Sequence, residues 1–231
     1  MKSLLVCSTA LLAASSLLAA DKDDVTAASK KLADADNYSW TTTVDTSSQF
    51  KPGPTHGKIE KGGFAWVEFS MRDNTVEAVL KGAKGAIKTE DGWQSLEDAA
   101  KDTGGNNPGR FMAVRLRNFK APALEAEELA GKVKELAKGD EAYSGDLTQE
   151  GAKSLMTFGR RGGQAPEVSN AKGSAKFWIK DGAITKFQYK VTGTISRNGN
   201  DTDIDRTTTV EIKDVGTTKV TVPDEAKNKL T

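Results

Sequence analysis

Three acidic residues at alternating positions form the first group in this sequence that could do chemistry. Asp201, Asp203 and Asp205 give the pattern D-x-D-x-D, with which a calcium-binding EF-hand loop begins. Such a loop needs Gly at its sixth position and Glu at its twelfth, where this chain has Arg206 and Ile212. We therefore predict no metal site and interpret the stretch as a solvated loop between two strands. A weak calcium site is the alternative.

Histidine and cysteine, the most common catalytic base and the strongest nucleophile among side chains, are scarce. The 231 residues include one histidine, His56, and one cysteine, Cys7, and no Ser lies in a G-x-S-x-G sequence. These counts exclude a disulfide framework, a zinc site built on several cysteines, and any site that needs two imidazoles. A hydrolase that uses a pair of carboxylates remains an alternative, because the two carboxylates of such a site are close in the fold and need not be close in the sequence. We predict that the protein is not an enzyme and needs no cofactor.

The charge balance bears on the choice of partner. Lys and Arg number 33 and Asp and Glu number 32, so the formal net charge is +1 at pH 7. A nearly neutral chain has no global field that attracts nucleic acid, and we predict no nucleic-acid partner. Hydrophobic residues make up 37% and charged residues 28% of the chain, which is typical of a globular domain.

The first twenty residues have the pattern of a secretory signal peptide. A basic residue comes first, an uncharged apolar stretch follows, and Ala19-Ala20 supply the small residues at which cleavage occurs. Cys7 lies inside the apolar stretch and not after it, so it is not placed to become an acylated first residue. The pattern predicts a signal peptide over 1–20 and one mature domain over 21–231. That domain has no transmembrane segment and is periplasmic or otherwise extracytoplasmic.

Hydrophobic periodicity predicts the elements of the mature domain. Helical spacing of apolar residues occurs in 24–36, in 123–138 and in a short segment that Thr148 caps. Alternating segments separated by turn residues predict strands at 38–46, 57–71, 75–82, 85–93, 111–119, 143–147, 174–180, 184–196, 206–215 and 217–222. Asp181-Gly182 is a strong hairpin signal, and 159–173 is interpreted as a loop. The pattern predicts an α+β fold in which two or three helices cover one face of an antiparallel sheet.

Aromatic residues are concentrated on the predicted strands. They fill a packed core, or some of them line an apolar cavity that the helices leave open. Periodicity does not separate these alternatives. The candidate ligand-binding residues are Trp40, Phe64, Trp66, Phe69, Trp178, Phe187 and Tyr189.

Three stretches carry a resemblance to a known family. They are GAIKTEDGWQSLED (85–98), SAKFWIKDGAITKFQYKVTGTI (174–195) and RTTTVEIKDVGTTKVTVP (206–223). With the order of elements, they resemble the bacterial lipoprotein-carrier superfamily, that is, the Lol-type outer-membrane lipoprotein carriers and their mycobacterial lipoprotein relatives. The resemblance implies a curved antiparallel half-barrel, closed by helices, whose apolar cavity shields an acyl chain from water.

The chain departs from that family in two respects. The mycobacterial relatives are lipid-anchored, whereas this chain lacks a usable lipobox. The Lol-type carriers also place an arginine inside the barrel. Arg115 and Arg117 both lie on a predicted strand, and nothing in the sequence selects either for that role.

These observations predict a non-enzymatic periplasmic protein that binds a lipid or a lipoprotein acyl chain. A place in outer-membrane lipoprotein sorting is the narrower form of this prediction. The alternative is an envelope structural or interaction module with a packed core, whose partner is an envelope protein. If the carrier interpretation is right, Trp178→Glu is expected to abolish lipid uptake without changing the far-UV circular dichroism.

Overall fold

One antiparallel sheet of eleven strands dominates the protein. The computed structural model describes residues 10–49, 51–71, 74–101, 108–157, 166–197 and 199–230. The strands are β1 (Asn37–Thr46), β2 (Thr55–Glu60), β3 (Ala65–Met71), β4 (Asn74–Lys81), β5 (Lys84–Thr89), β6 (Gly92–Ser95), β7 (Ala137–Lys138), β8 (Tyr143–Asp146), β9 (Glu167–Lys180), β10 (Ala183–Arg197) and β11 (Asn200–Lys213). Their order across the sheet is β6-β5-β4-β3-β2-β1-β11-β10-β9-β8-β7. The sheet is curved and not closed, and the predicted antiparallel sheet is confirmed.

Six helices accompany the sheet within the described residues. They are α1 (Ala10–Ala33), α2 (Leu96–Lys101), α3 (Pro108–Leu116), α4 (Pro122–Gly131), α5 (Gln149–Met156) and α6 (Asp224–Lys227). Buried side chains of α1 to α5 share one large core with one side of the sheet, which we call the inner face. Ala226 of α6 belongs to a smaller cluster on the other side, the outer face. The prediction of two or three helices is therefore wrong in number, and one helix packs on the opposite face.

Helix α1 includes the predicted helix over 24–33 and ends at Ala33, three residues before the predicted end at 36. Its stripe of Val25, Ala28 and Leu32 is buried in the inner core, as the i, i+3, i+7 spacing predicts. The helix begins within the predicted signal peptide, and the residues before it, including Cys7, lie outside the described part of the chain. None of the helices that the structure describes combines the length and the apolar composition that a membrane span requires.

The three longest strands are joined by tight turns that the sequence encodes directly. Asp181 and Gly182 connect β9 to β10 with φ values of 52° and 73°. Positive φ at both positions is the geometry of the turn that best matches the twist of antiparallel strands. The hairpin prediction is confirmed, and the strands are longer than predicted. Since β9 begins at Glu167, the interpretation of 159–173 as a loop is wrong over 167–173, and residues 159–165 lie outside the described part of the chain.

The predicted strand over 217–222 is wrong. Its residues lie outside the described strands, and side chains satisfy part of their backbone. The Thr218 N–H donates to Asn37 Oδ1 at 2.7 Å, and the Val220 N–H donates to Glu60 Oε1 at 2.9 Å. The segment thus returns along the sheet without joining its ladder and brings Val222 into the outer cluster.

Two predictions in the middle of the chain are also wrong. The predicted strand over 111–119 is helix α3, in which Met112, Ala113 and Leu116 are buried. Positions 112 and 116 lie on one face of a helix, because they are four residues apart, and also on one face of a strand, because strand side chains alternate. The spacing of these apolar residues therefore does not distinguish a strand from a helix. The helix predicted over 123–138 ends at Gly131, and Val133 forms a β-bridge instead.

Candidate functional site

The structure divides the seven candidate aromatic residues between the two faces of the sheet. Four belong to the inner core: Trp40, Phe69, Phe187 and Tyr189. Two pack against the outer cluster: Phe64 and Trp66. The seventh, Trp178, follows the fully buried Phe177, and successive strand side chains point to opposite faces. It is half-buried on the outer face, with Lys186 Nζ 5.0 Å from its ring centroid. Whether any of the seven contacts a ligand stays a prediction.

Trp40 forms a fixed part of the inner face. Its ring stacks on Phe119 with centroids 5.9 Å apart and planes inclined by 26°, and Tyr38 contacts it at 6.0 Å. The cross-strand partner of Trp40 is Gly57, and a Cβ added there would overlap the indole. Because Gly57 has no side chain, the indole of Trp40 can lie across β2 at this position. This part of the inner face is an apolar wall that the fold positions closely.

Arg206 lies on the inner face of β11. It has the same strand parity as Thr208 and Val210, both of which are buried. Its Nη2 donates to the backbone carbonyl of Leu155 in α5 at 2.5 Å, so the side chain connects the sheet to a helix. Its Nε atom is buried and has no hydrogen-bond partner among the described residues. A buried guanidinium N–H that remains unpaired is costly and calls for an explanation.

Arg115, in the last turn of α3, reaches the same region. Its guanidinium lies 5.9 Å from the ring centroid of Phe69, and yet the residue is exposed to solvent. Burial lowers its pKa, while the nearby Tyr189 and Glu125 act in the opposite direction. Solvent therefore reaches the Arg115 side chain close to Phe69, and we call this solvent-accessible place beside α3 the opening.

Glu125 of α4 and Tyr189 of β10 complete this group. Burial raises the pKa of Glu125 to about 7, against the opposing effect of Arg115. Burial also raises the pKa of Tyr189 to about 12, and the charge of Glu125 adds to that effect. No ion pair joins Glu125 to either arginine in the part of the chain that the structure describes. We call Arg115, Glu125, Tyr189 and Arg206 the interior polar cluster.

Of this cluster, the sequence analysis lists Tyr189 among the candidate ligand-binding residues and names Arg115 without selecting it, whereas it does not name Glu125 or Arg206 as a candidate. Two signals were nevertheless present. In RTTTVEIK the residue Arg206 continues the alternation of Thr208, Val210 and Ile212, which predicts an inward side chain. Glu125 stands four residues before Leu129 and thus on the apolar stripe of its helix. Arg117, by contrast, is exposed just beyond α3.

The acidic residues at 201–205 are not in a loop, so that interpretation is wrong. They belong to β11. The connection between β10 and β11 is shorter than predicted, since Arg197 at the end of β10 already pairs with Asn200 at the start of β11. Each carboxylate has a partner on β10. Asp201 accepts from Ser196 Oγ at 2.6 Å, Asp203 from Thr194 Oγ1 at 2.8 Å, and Asp205 pairs with Lys190 at 3.1 Å. The neighbouring strand thus supplies the polar contacts of these carboxylates.

The other candidates for chemistry lie elsewhere. His56 is on β2, and its Nδ1 is 3.3 Å from Oγ1 of Thr41 on the adjacent strand. Among the described residues, no group of three His, Cys, Asp or Glu side chains is arranged to hold a metal ion. A second group of ionisable side chains lies at the edge of the inner core, where the Tyr143 hydroxyl donates to Asp24 Oδ2 at 2.9 Å and Lys138 Nζ lies 5.4 Å from the Tyr143 ring centroid.

Two shallow grooves open on the surface. One, of about 380 Å³, lies between α1 and the β9–β10 hairpin and includes Lys31 and Tyr143. The other, of about 430 Å³, crosses β9, β10 and β11 and includes Thr192 and Asp203. Neither is lined by the interior polar cluster or by the candidate aromatic residues. Their linings are mixed and carry no recognisable chemistry.

Three known structures are among those found similar to this chain in a comparison of structures. LprF from Mycobacterium bovis is 13% identical with a TM-score of 0.48, over 90% of this chain and 98% of that one. The lipoprotein LppX from Mycobacterium tuberculosis is 10% identical with a TM-score of 0.48, over 89% and 99%. A DUF1329 family protein from Desulfovibrio piger is 9% identical with a TM-score of 0.35, over 93% and 99%. No protein-family model and no curated protein matches the sequence. Similarity at this level concerns the backbone and not particular side chains.

Proposed function

We propose that the protein binds a lipid or an acyl chain between the inner face of the sheet and helices α3 to α5, without catalysing a reaction. One observation carries the proposal. Arg115 is exposed to solvent although its guanidinium lies 5.9 Å from Phe69, whose ring belongs to the inner core. The opening beside α3 therefore leads from water to an apolar wall. An acyl chain that enters there exchanges water for apolar contacts.

The energetics favour such a ligand. Each buried methylene contributes roughly 0.8 kcal/mol, so a chain of many carbons is costly to leave in water. The wall at the opening includes Phe69 and its cross-strand neighbour Val76, and the inner face continues on β11 and β10 with Val210 and Val191, all of them buried. Aliphatic and aromatic side chains of this kind bind acyl chains by burial alone and need no exact geometry.

Phe111 extends the apolar surface to the rim of the opening. It is 59% exposed, which is unusual for so large an apolar side chain. It stands four residues before Arg115 on α3, so the two side chains are neighbours on one face of the helix. An exposed aromatic ring next to an opening is a suitable first contact for an incoming chain.

The expected location is consistent with this role. The predicted signal peptide over 1–20 implies export, and the acyl chains of lipoproteins are among the ligands that must cross an aqueous envelope compartment. Sorting of outer-membrane lipoproteins is the narrower form of the proposal. It predicts that an acylated peptide competes with a free acyl chain for the same site.

A second candidate has its own support. Phe177 and Phe187 are fully buried in the inner core, and neither of them lines either surface groove. On this reading the interior is packed, and the protein is an envelope interaction module. Its open sheet edges, β6 and β7, would then receive a partner strand.

Native mass spectrometry distinguishes the two candidates. The full chain is expressed in a bacterium, purified without detergent and then incubated with dodecanoic acid or with an acylated peptide. Lipid binding predicts a mass excess that organic solvent extracts, or a ligand-bound mass after incubation. A chain that stays free of ligand in both experiments would overturn the binding proposal and leave the interaction module.

Substitution of Phe111, at the rim of the opening, tests the proposal without changing a core residue. Phe111→Glu places a charge at the opening, and we expect acyl-chain affinity to fall about 10-fold or more because apolar contact is lost. Val215→Glu is the matched control, since Val215 is 49% exposed beyond the far end of β11. Because Trp178 lies on the outer face, Trp178→Glu is now expected to leave uptake unchanged. Equal loss in all three variants would contradict entry beside α3.

A further inference from the structure

We propose that the ligand of this site carries an anionic group, which Arg115 and Arg206 bind while the apolar part lies against the inner face. The inference rests on the proposed function and narrows it from any acyl chain to an anionic amphiphile. A carboxylate and a phosphate share the chemistry that two guanidinium groups recognise.

The donors of Arg206 carry the first part of the argument. One of its N–H groups is used by the Leu155 carbonyl, and that bond holds the side chain in place. Its Nε–H is buried without a partner among the described residues. Guanidinium groups have five donors in a rigid fork that matches an oxyanion. A ligand oxygen at this position would pair the donor that the protein leaves unpaired.

Arg115 supplies the second cation. The structure shows no hydrogen bond or ion pair from its guanidinium to any residue that it describes, although the charge of Glu125 acts on it, and the guanidinium lies 5.9 Å from the ring centroid of Phe69. A charged group beside an apolar wall that forms no ion pair among the described residues is poorly explained by stability alone. It is well explained if a ligand brings the anion, because the chain of that ligand then lies on the same wall.

The charge of the cluster agrees with an anionic ligand. Glu125 is the one carboxylate of the cluster, and it is not within ion-pair distance of Arg115 or Arg206 among the described residues. Two guanidinium groups and one carboxylate leave a net positive charge even when Glu125 is ionised. Tyr189, whose hydroxyl stays protonated at neutral pH, adds a donor on the adjacent strand.

Three ligands of equal chain length test the inference. Dodecanoic acid, 1-dodecanol and dodecyl phosphate are titrated into the full chain at pH 8, with binding measured by calorimetry. We expect at least one of the anionic ligands to bind about 10-fold to 100-fold more tightly than the alcohol, as charge-assisted hydrogen bonds predict. The acid and the phosphate arms show which anion the site prefers.

Variants then assign the effect to the two arginines. Arg115→Gln is expected to weaken binding of the preferred anion about 10-fold and to change alcohol binding less than about 2-fold. Arg117→Gln, two residues further on and exposed, is the matched control. Arg206→Gln is expected to act like Arg115→Gln. Because it also removes the bond to Leu155, its fold is checked by circular dichroism.

The outcomes separate the two proposals. Equal affinity for the acid, the phosphate and the alcohol would overturn the anion inference and leave acyl-chain binding intact. Binding of none of the three would overturn both. An anion preference that Arg117→Gln reduces as much as Arg115→Gln would show a diffuse electrostatic effect, and it would overturn the assignment to the interior polar cluster.

Discussion

The two faces of the sheet carry the same residue types and use them differently. On the inner face, aromatic rings are buried beneath five helices, next to two arginines and a glutamate. On the outer face, Phe64, Trp66 and Trp178 are half-buried, each with a lysine ammonium 4.8 to 5.6 Å from its ring centroid. Aromatic residues on strands therefore do not identify a binding site. Charged residues beside the covered face are the better basis for the site that we propose, because a buried charge is costly unless it has a partner.

The largest expected difference between the faces is in core packing. Phe187→Ala removes a fully buried ring, and we expect the free energy of unfolding to fall by about 3 to 5 kcal/mol. Trp178→Ala removes a larger ring from the outer face, where solvent already reaches it, and we expect a loss of about 1 to 2 kcal/mol. Urea denaturation of both variants measures the two values. Equal losses would mean that the outer face is as tightly packed as the inner one.

The next largest effect concerns the contact between Trp40 and Gly57. Gly57→Ala forces the indole away from β2, and we expect a loss of about 1 to 3 kcal/mol, with a changed near-UV circular dichroism spectrum. Gly131→Ala is the matched control. A Cβ at that position meets no atom within 4 Å, and alanine favours the last turn of α4. If Gly57→Ala left the stability unchanged, the wall at Trp40 would be adaptable and not fixed.

The strands could be predicted more fully than the helices, for a physical reason. Asp181-Gly182 sets a turn geometry that few other residues allow, and alternation then fixes the faces of β9 and β10. Helix α3 has no such local signal. Its buried positions also fit an alternating strand, and the choice between the two depends on packing against the inner face.

The candidate site could be predicted only in part, because its members come from separate elements. Tyr189 and Arg206 are near neighbours across β10 and β11, and strand alternation places both inward. Arg115 and Glu125 join them only through the packing of α3 and α4 on the sheet. The spacing of these residues in the sequence does not predict that their side chains lie close together in the fold.

The pH dependence of stability tests whether Glu125 is as enclosed as the cluster requires. Its pKa is raised from 4.5 to about 7, so the folded protein holds this proton more tightly than the unfolded chain does. Its favourable contribution is complete below about pH 4.5 and is lost as the pH rises through about 7. Glu125→Gln removes this dependence. We expect the variant to be more stable than the parent by about 1 to 2 kcal/mol at pH 8, a value reduced for partial exposure.

Denaturation at pH 4 and at pH 8 measures the effect of Glu125. At pH 4 the parent and Glu125→Gln are expected to differ by less than about 0.5 kcal/mol, because the carboxyl is protonated in both states. Glu128→Gln is the control on the same helix, since Glu128 forms an ion pair with Lys120. If the difference in unfolding free energy between the parent and Glu125→Gln were the same at both pH values, the Glu125 carboxyl would be solvated and not enclosed.

The smallest expected effect belongs to the outer face and sharpens the contrast with Arg115. Lys81→Gln removes an ammonium 4.8 Å from the ring centroid of Phe64, and an exposed contact of this kind contributes about 0.5 kcal/mol. Lys84→Gln, at the paired position of the same hairpin, is the matched control. Neither change is expected to alter acyl-chain binding, whereas Arg115→Gln alters the binding of an anion. We propose that the same cation-over-ring geometry is a minor surface contact on one face and part of a ligand site on the other, because the ring beside Arg115 belongs to the inner core whereas the ring beside Lys81 is half-buried on the outer face.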